Sequence, residues 1–233
     1  MIYSNSASAH NEFMLEQAKK VLKLLRERMF DAVICGGLCR DTILGSYAKD
    51  VDIIVYNWHA NDEAEGTLKN SFEKALQEIS PFFQRCEAYG AMENNDFELR
   101  QIREVIKAKV HGVDVDIIFI EDCHPNPLGL YARFNKGMRR NTLKSVLTDF
   151  DCPVNMFYYS EEYNMMLHIE ASHKVFADVA MQKFCNRFVC KLNISDDRLI
   201  RNYMRLKKFE EMGITLTTHF HIPKLTEEEE VDE

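Results

Sequence analysis

The apolar run Asp31-Ala-Val-Ile-Cys35 stops on a glycine pair, Gly36-Gly37, and is followed at once by Leu38-Cys-Arg40-Asp41. A short apolar run predicts a buried strand, and two glycines directly behind it impose a tight turn. Thr42-Ile-Leu44 and then Gly45 read as a short helix with a glycine stop. In such a turn backbone amides can approach an anion without side-chain obstruction, and a following helix N-terminus favours negative charge. Arg40 adds a forked, permanently charged donor for a phosphate. Taken alone, the same residues also describe an ordinary strand-to-helix turn.

The next feature is Lys49-Asp50-Val51-Asp52, which opens a second strand over Val51–Tyr56. Residues i and i+2 of a strand share a face, so the carboxylates of Asp50 and Asp52 lie side by side, roughly 6–7 Å apart at their Cα atoms. Two such anions repel unless a cation lies between them, and a hard divalent ion with oxygen ligands, Mg²⁺ above all, suits the place. Asp114-Val115-Asp116 repeats the spacing and runs into Ile117-Ile-Phe-Ile120. An acid beside four apolar residues has to face a solvated cleft or a metal, since burying it bare is costly. If this strand lies next to 51–56, one of its aspartates completes a three-carboxylate cluster able to hold two metal ions. One ion would activate a hydroxyl and one would steady a leaving pyrophosphate. Asp116 is the choice for third ligand because it directly precedes the apolar run, with Asp114 as neighbour or substitute. Each acid pair in isolation also fits an exposed strand end.

Around these elements the pattern is mixed. Residues 11–29 and 62–80 carry apolar residues at helical spacing. Residues 101–110 alternate as a strand with one wetter face, and His111-Gly112 turns it back into 113–120 as an antiparallel hairpin. A helix is expected near 128–135, a basic stretch follows (Arg133, Lys136, Arg139, Arg140, Lys144), and 160–222 reads as helical, with segments near 170–185 and 195–212. The expected division is an N-terminal helix over 1–29, an α+β head over 30–159, a helical region over 160–222 and an acidic disordered tail over 223–233.

Composition serves mainly to exclude. The chain has 233 residues, 46% hydrophobic and 28% charged, so collagen-like, low-complexity and mostly disordered classes drop out. No apolar run reaches the length of a membrane span, and the first residues lack the order of a signal peptide. The net charge is −8, but Thr226–Glu233 alone holds six acids, so the body is near neutral and not a general nucleic-acid binder. Seven cysteines without a CxxC pair fit buried thiols in a reducing cytoplasm and argue against zinc. His168 with His173, and His219 with His221, lack a second close pair and read as structural or exposed. Tyr158, Tyr159 and Tyr163 fit core packing better than base stacking, and Trp58 fits a nucleotide pocket or the core equally.

Together, Gly36-Gly37-Leu-Cys-Arg40-Asp41-Thr-Ile-Leu-Gly45 and Lys49-Asp50-Val-Asp52-Ile53 resemble the GGxxRDxLLG…KDxDh signature of the nucleotidyltransferase superfamily. The likeness is in particular to the head domain of bacterial poly(A) polymerases and tRNA CCA-adding enzymes. The resemblance implies a polymerase-β-like fold, a mixed and mainly antiparallel sheet flanked by helices, followed by a small helical region. It also implies metal acids at Asp50 and Asp52 joined by Asp116, and a triphosphate turn at Gly36-Gly37. Arg40 would lie on the phosphate side, and Asp41 and Lys49 belong to the same nucleotide-binding signature. The family's RRDxxxNA sugar motif has a partial echo in Asp151-Cys-Pro-Val-Asn155, without its two arginines. Its EDxxRxxRxxRF base-reading helix resembles 196–209, where Asp197, Arg201 and Arg205 would take part with the spacing slipped by a residue or two.

The implied activity is Mg²⁺-dependent transfer (two ions, with Mn²⁺ as a substitute) of a nucleoside monophosphate from an NTP, ATP favoured, to an acceptor hydroxyl. An RNA 3′ end is the first acceptor class, and a small molecule or protein side chain the second. A non-catalytic nucleotide-binding or interaction module on the same fold is the reading from another class. Relatives acting on tRNA carry further helical domains after the head, so recognition of a whole tRNA is not expected.

Overall fold

The computed structural model describes residues 5–58, 63–87, 102–121, 142–147 and 155–169, with single helical positions at 207 and 211. The chain opens with α1 (Asn5–Arg26), whose Met14, Ala18, Val21, Leu22 and Leu25 are buried along one stripe. Lys23 and Arg26 occupy its last turn, where cations meet the negative end of the helix dipole. The exit is a tight reversal at Met29 (φ 62°), closed by Phe30 N–H donating to the Leu25 carbonyl at 3.1 Å. Strand β1 (Asp31–Cys35) follows, then α2 (Gly37–Leu44), β2 (Val51–Trp58), α3 (Glu63–Ile79), β3 (Phe82–Glu87), β4 (Ile102–Val110), β5 (Val113–Glu121), the short α4 (Leu143–Leu147), β6 (Phe157–Ser160) and β7 (Met165–His168).

The strands form one mixed sheet in the order β3-β4-β5-β2-β1-β6-β7. Among the described residues only β2 and β5 pair in parallel; every other neighbouring pair is antiparallel. Strand alternation sorts side chains between the faces. Ala32 and Ile34 of β1, Val51, Ile53 and Val55 of β2, and Val113, Val115, Ile117 and Phe119 of β5 join the main core with α1, α2 and α3. The opposite face carries Val33, Cys35, Ile54 and Ile120 in a smaller cluster with Val146 and Leu147 of α4. Asp52 and Asp116 lie on that second face by parity, two residues before Ile54 and Ile118. The expected head fold, α+β on a mixed and mainly antiparallel sheet, is what the chain adopts.

Most elements stand where the sequence places them, including the 111–112 turn, where His111 (φ 49°) and Gly112 (φ 88°) give the mirror-image turn that suits a two-residue hairpin. Two readings need correction. Strand β3 was not expected, because Pro81 marks only the end of α3 and Phe82, at the sheet edge, is half exposed. The stretch from 160, expected to read as helical, opens instead with the end of β6 and with β7. The reversal between them is a polar turn, with Asn164 at φ 50°, a conformation asparagine tolerates. The helices expected near 128–135, 170–185 and 195–212, and the 223–233 tail, lie outside the described residues. No helix among those described is long and apolar enough to cross a membrane.

Candidate active site

The diglycine turn is shaped by what lies against it. Gly36 has φ 74° and ψ −134°, a conformation open to little but glycine, and a Cβ built there would stand 2.8 Å from Asp52 Oδ2. The space the missing side chain leaves is therefore filled by the second acid of the Asp50-x-Asp52 pair. The Gly36 N–H donates to the Phe157 carbonyl at 3.1 Å, which ties the turn to β6. At Gly37 a Cβ would lie 3.7 Å from Arg40 Nη2 and 3.8 Å from Asp50 Oδ1, so both acids border the turn.

Asp52 and Asp116 are direct register partners on the parallel pair β2 and β5. Burial pushes the Asp52 carboxyl up from 3.8 to about 6, helped by the charges of Asp50 and Asp116; the Gly37 N–H and the Arg40 charge pull the other way. Asp50 is exposed, just ahead of β2. The loop that leads to it is held from α1: Asn11, almost wholly buried, donates from Nδ2 to the Ser46 carbonyl at 2.7 Å and accepts the Ala48 N–H at 2.9 Å. His10 Nε2 lies 3.0 Å from the Ala48 carbonyl.

Arg40 and Asp41 are both buried. The guanidinium makes a forked pair with Asp41, Nε to Oδ1 at 2.7 Å and Nη2 to Oδ2 at 3.0 Å, while Nη1 donates to Asn155 Oδ1 at 2.7 Å. Three of the expected nucleotide-site residues thus form one network, in which Arg40 already has anionic and amide partners. Lys49 is exposed. Asp114 is exposed and pairs with Lys109 at 3.1 Å. Asp151, Asp197, Arg201 and Arg205 lie outside the described residues, as do His173, His219, His221 and the side chain of Trp58. Tyr159 is buried and donates to Asn164 Oδ1 at 2.6 Å, a core role, while Tyr163 is half exposed. The Cys35 and Cys39 thiols are buried, and burial pushes both well up, which leaves them unreactive.

Sequence reasoning passed over Lys107, whose Nζ stands 3.4 Å from Asp116 Oδ2, and Lys109 beside it. The signal was present: with the turn fixed at 111–112, hairpin register sets 107 opposite 116 and 109 opposite 114. Among the described residues no group of three or more His, Cys, Asp or Glu side chains stands close enough to hold a metal ion. The donor chemistry still suits one. Asp50, Asp52 and Asp116 offer only oxygen, two of them reach solvent, and they repel one another as they stand.

The fold is thus a mixed sheet with α1 and α3 on one face, a diglycine turn over a β2 acid and a parallel partner strand carrying another. Solved structures share it. The chain superposes on a tRNA-processing enzyme in its apo form I with TM-score 0.51 and 16% identity, covering 88% of this chain and 44% of that one. CCA-adding enzyme in complex with ATP gives 0.50 at 15% identity over 88% and 40%. The same enzyme class with CTP gives 0.50 at 15% over 87% and 38%. The likeness is one of fold, and the chain spans about two fifths of the length of these proteins. No family model matches the sequence, and no curated protein matches it.

Proposed function

We propose that the chain transfers a nucleoside monophosphate from an NTP, ATP favoured, to an acceptor hydroxyl, releasing pyrophosphate, and that it does so with Mg²⁺. The observation that carries this reading is the register pairing of Asp52 with Asp116 under the Gly36-Gly37 turn, with Asp50 close enough to raise the Asp52 carboxyl. Asp50, Asp52 and Asp116 would hold the metal, and Asp114, exposed and paired with Lys109, would stay a neighbour. A bound divalent ion supplies Lewis-acid polarisation of the α-phosphate and makes the acceptor hydroxyl more acidic. The protein's own share is positioning. The Gly37 N–H fixes one Asp52 oxygen, and the Arg40-Asp41-Asn155 network fixes the first turn of α2 on which that amide sits. The acceptor oxygen attacks the α-phosphorus, the bond to the β-phosphate oxygen breaks, and the acceptor proton passes to Asp116 or to solvent. Solved complexes of CCA-adding enzymes with ATP and with CTP support an NTP as donor. An RNA 3′ end is the favoured acceptor and a reducing cytoplasm the favoured setting; Asp151, Asp197, Arg201 and Arg205 remain proposed contacts to sugar and base.

The test is label transfer from α-³²P-ATP in cell extract, with RNase and protease treatment to separate RNA, protein and small-molecule acceptors. Wild type should transfer label and Asp52→Asn should not; equal transfer by the variant removes the acids from the chemistry. One observation favours a second reading. The guanidinium expected to meet a phosphate is engaged by Asp41 and Asn155, which fits a module that binds nucleotide without turnover. Thermal stabilisation by Mg-ATP without label transfer to any acceptor would select it.

A further inference from the structure

Register pairing lays a single row across one face of the sheet. Cys35 of β1 pairs with Asp52 of β2, Asp52 with Asp116 of β5, and Asp116 with Lys107 of β4. Register neighbours share a face, so the order running away from the diglycine turn is thiol, carboxylate, carboxylate, ammonium. Lys107 Nζ lies 3.4 Å from Asp116 Oδ2, with the lysine side chain 46% exposed and the aspartate 28%, so an ion arriving from solvent can reach the pair. The same carboxylate is thus offered to two cations: the ammonium on its β4 side and any divalent ion held between it and Asp52.

Resting on the nucleotidyl-transfer reading above, we propose that Lys107 is a resident counter-ion of Asp116 which a divalent cation has to displace, so that this lysine sets the ion concentration at which the site fills. Two acids side by side are relieved either by the ammonium or by the metal, and the oxygen that pairs with one is withdrawn from the other. Once displaced, the ammonium stands on the side of the acids away from the diglycine turn. Lys109 is an internal comparison. It lies on the same strand with the same charge, 3.1 Å from Asp114, an acid that is 59% exposed and pairs with nothing on β2 in the register.

The experiment titrates Mn²⁺ alone into the full chain and reads unbound ion by electron paramagnetic resonance, for wild type, Lys107→Gln, Lys107→Met, Lys107→Arg, Lys109→Gln and Asp52→Asn. Removing the charge at 107 should tighten Mn²⁺ binding about fivefold, the upper end for a partly exposed pair. Lys107→Arg and Lys109→Gln should bind as wild type does. Lys107→Met keeps the apolar stem over the strand and guards against a loss of folding in the glutamine variant; circular dichroism melts verify both. Equal or weaker binding by both charge-removed variants, or the same tightening by Lys109→Gln, overturns the role of Lys107 and leaves the metal site standing. Binding that does not depend on Asp52 overturns the metal site, the functional reading and this inference together.

Discussion

Asp52 carries opposing demands. It is drawn into the turn by the Gly37 amide, yet its charge is disfavoured by burial and by two neighbouring acids. With the folded carboxyl titrating near 6 and the unfolded one near 3.8, the native state binds the proton more tightly. The stabilising effect is complete below the unfolded value and is lost as pH rises through 6. Asp52→Asn should therefore melt with wild type at pH 3.5 and, in chelator, melt higher above pH 6.5, by on the order of 2 kcal/mol. Scanning calorimetry across that range checks it, and added Mg²⁺ should narrow the gap by stabilising wild type alone. At Gly36 the same carboxylate forbids a side chain. Gly36→Ala should cost about 2–3 kcal/mol from positive φ plus the 2.8 Å clash, and should weaken Mn²⁺ binding. Gly112→Ala, at φ 88° with open space around it, should cost only about 1 kcal/mol and leave Mn²⁺ affinity alone. Denaturant unfolding with parallel Mn²⁺ titration separates the two. The acids and glycines were legible because their chemistry shows in one dimension: like charges two apart, a glycine pair where an apolar run stops. Lys107 was legible only one step further on, by counting the hairpin register back from the 111–112 turn to Asp116, because alternation alone marks it only as belonging to a wetter face.

At the scale of elements, the strands and helices that could be read were those with a clean period. The α1 stripe, the apolar runs of β1, β2 and β5, and the two-residue turn between β4 and β5 announce themselves. Strand β3 is held by partners far away in sequence: Arg85 pairs with Glu73 of α3, and Glu73 stands with Lys69 and Glu104 in a largely buried charge cluster. The β6–β7 hairpin is likewise fixed by pairing with β1 and by Phe157 against His168, neither of which leaves a period in the sequence. The N-terminal helix has a second role beyond packing. Asn11 closes two hydrogen bonds on the 46–48 loop, and Asn11→Ala leaves the buried Ala48 N–H and the Ser46 carbonyl without that partner. A loss of about 1–3 kcal/mol in urea unfolding is expected, with faster amide exchange at Ala48. Unchanged exchange there would show that the loop does not depend on the helix.

For the molecule as a whole, the fold was readable further than the reaction. One dense signature fixed the head architecture, whereas the residues expected to meet sugar and base lie outside the described regions, apart from Asn155, which is bonded to Arg40. The parallel contact of β2 with β5 also has a bearing on how the chain reaches its native state. The two aspartates that face each other there belong to strands separated by α3, β3 and β4, so they meet only when the central pair has docked. On the proposed metal site, a divalent ion would be captured by the finished sheet and would not guide its early collapse. Refolding measured by stopped flow should run at one rate with or without Mn²⁺, and only the rate of unfolding should slow.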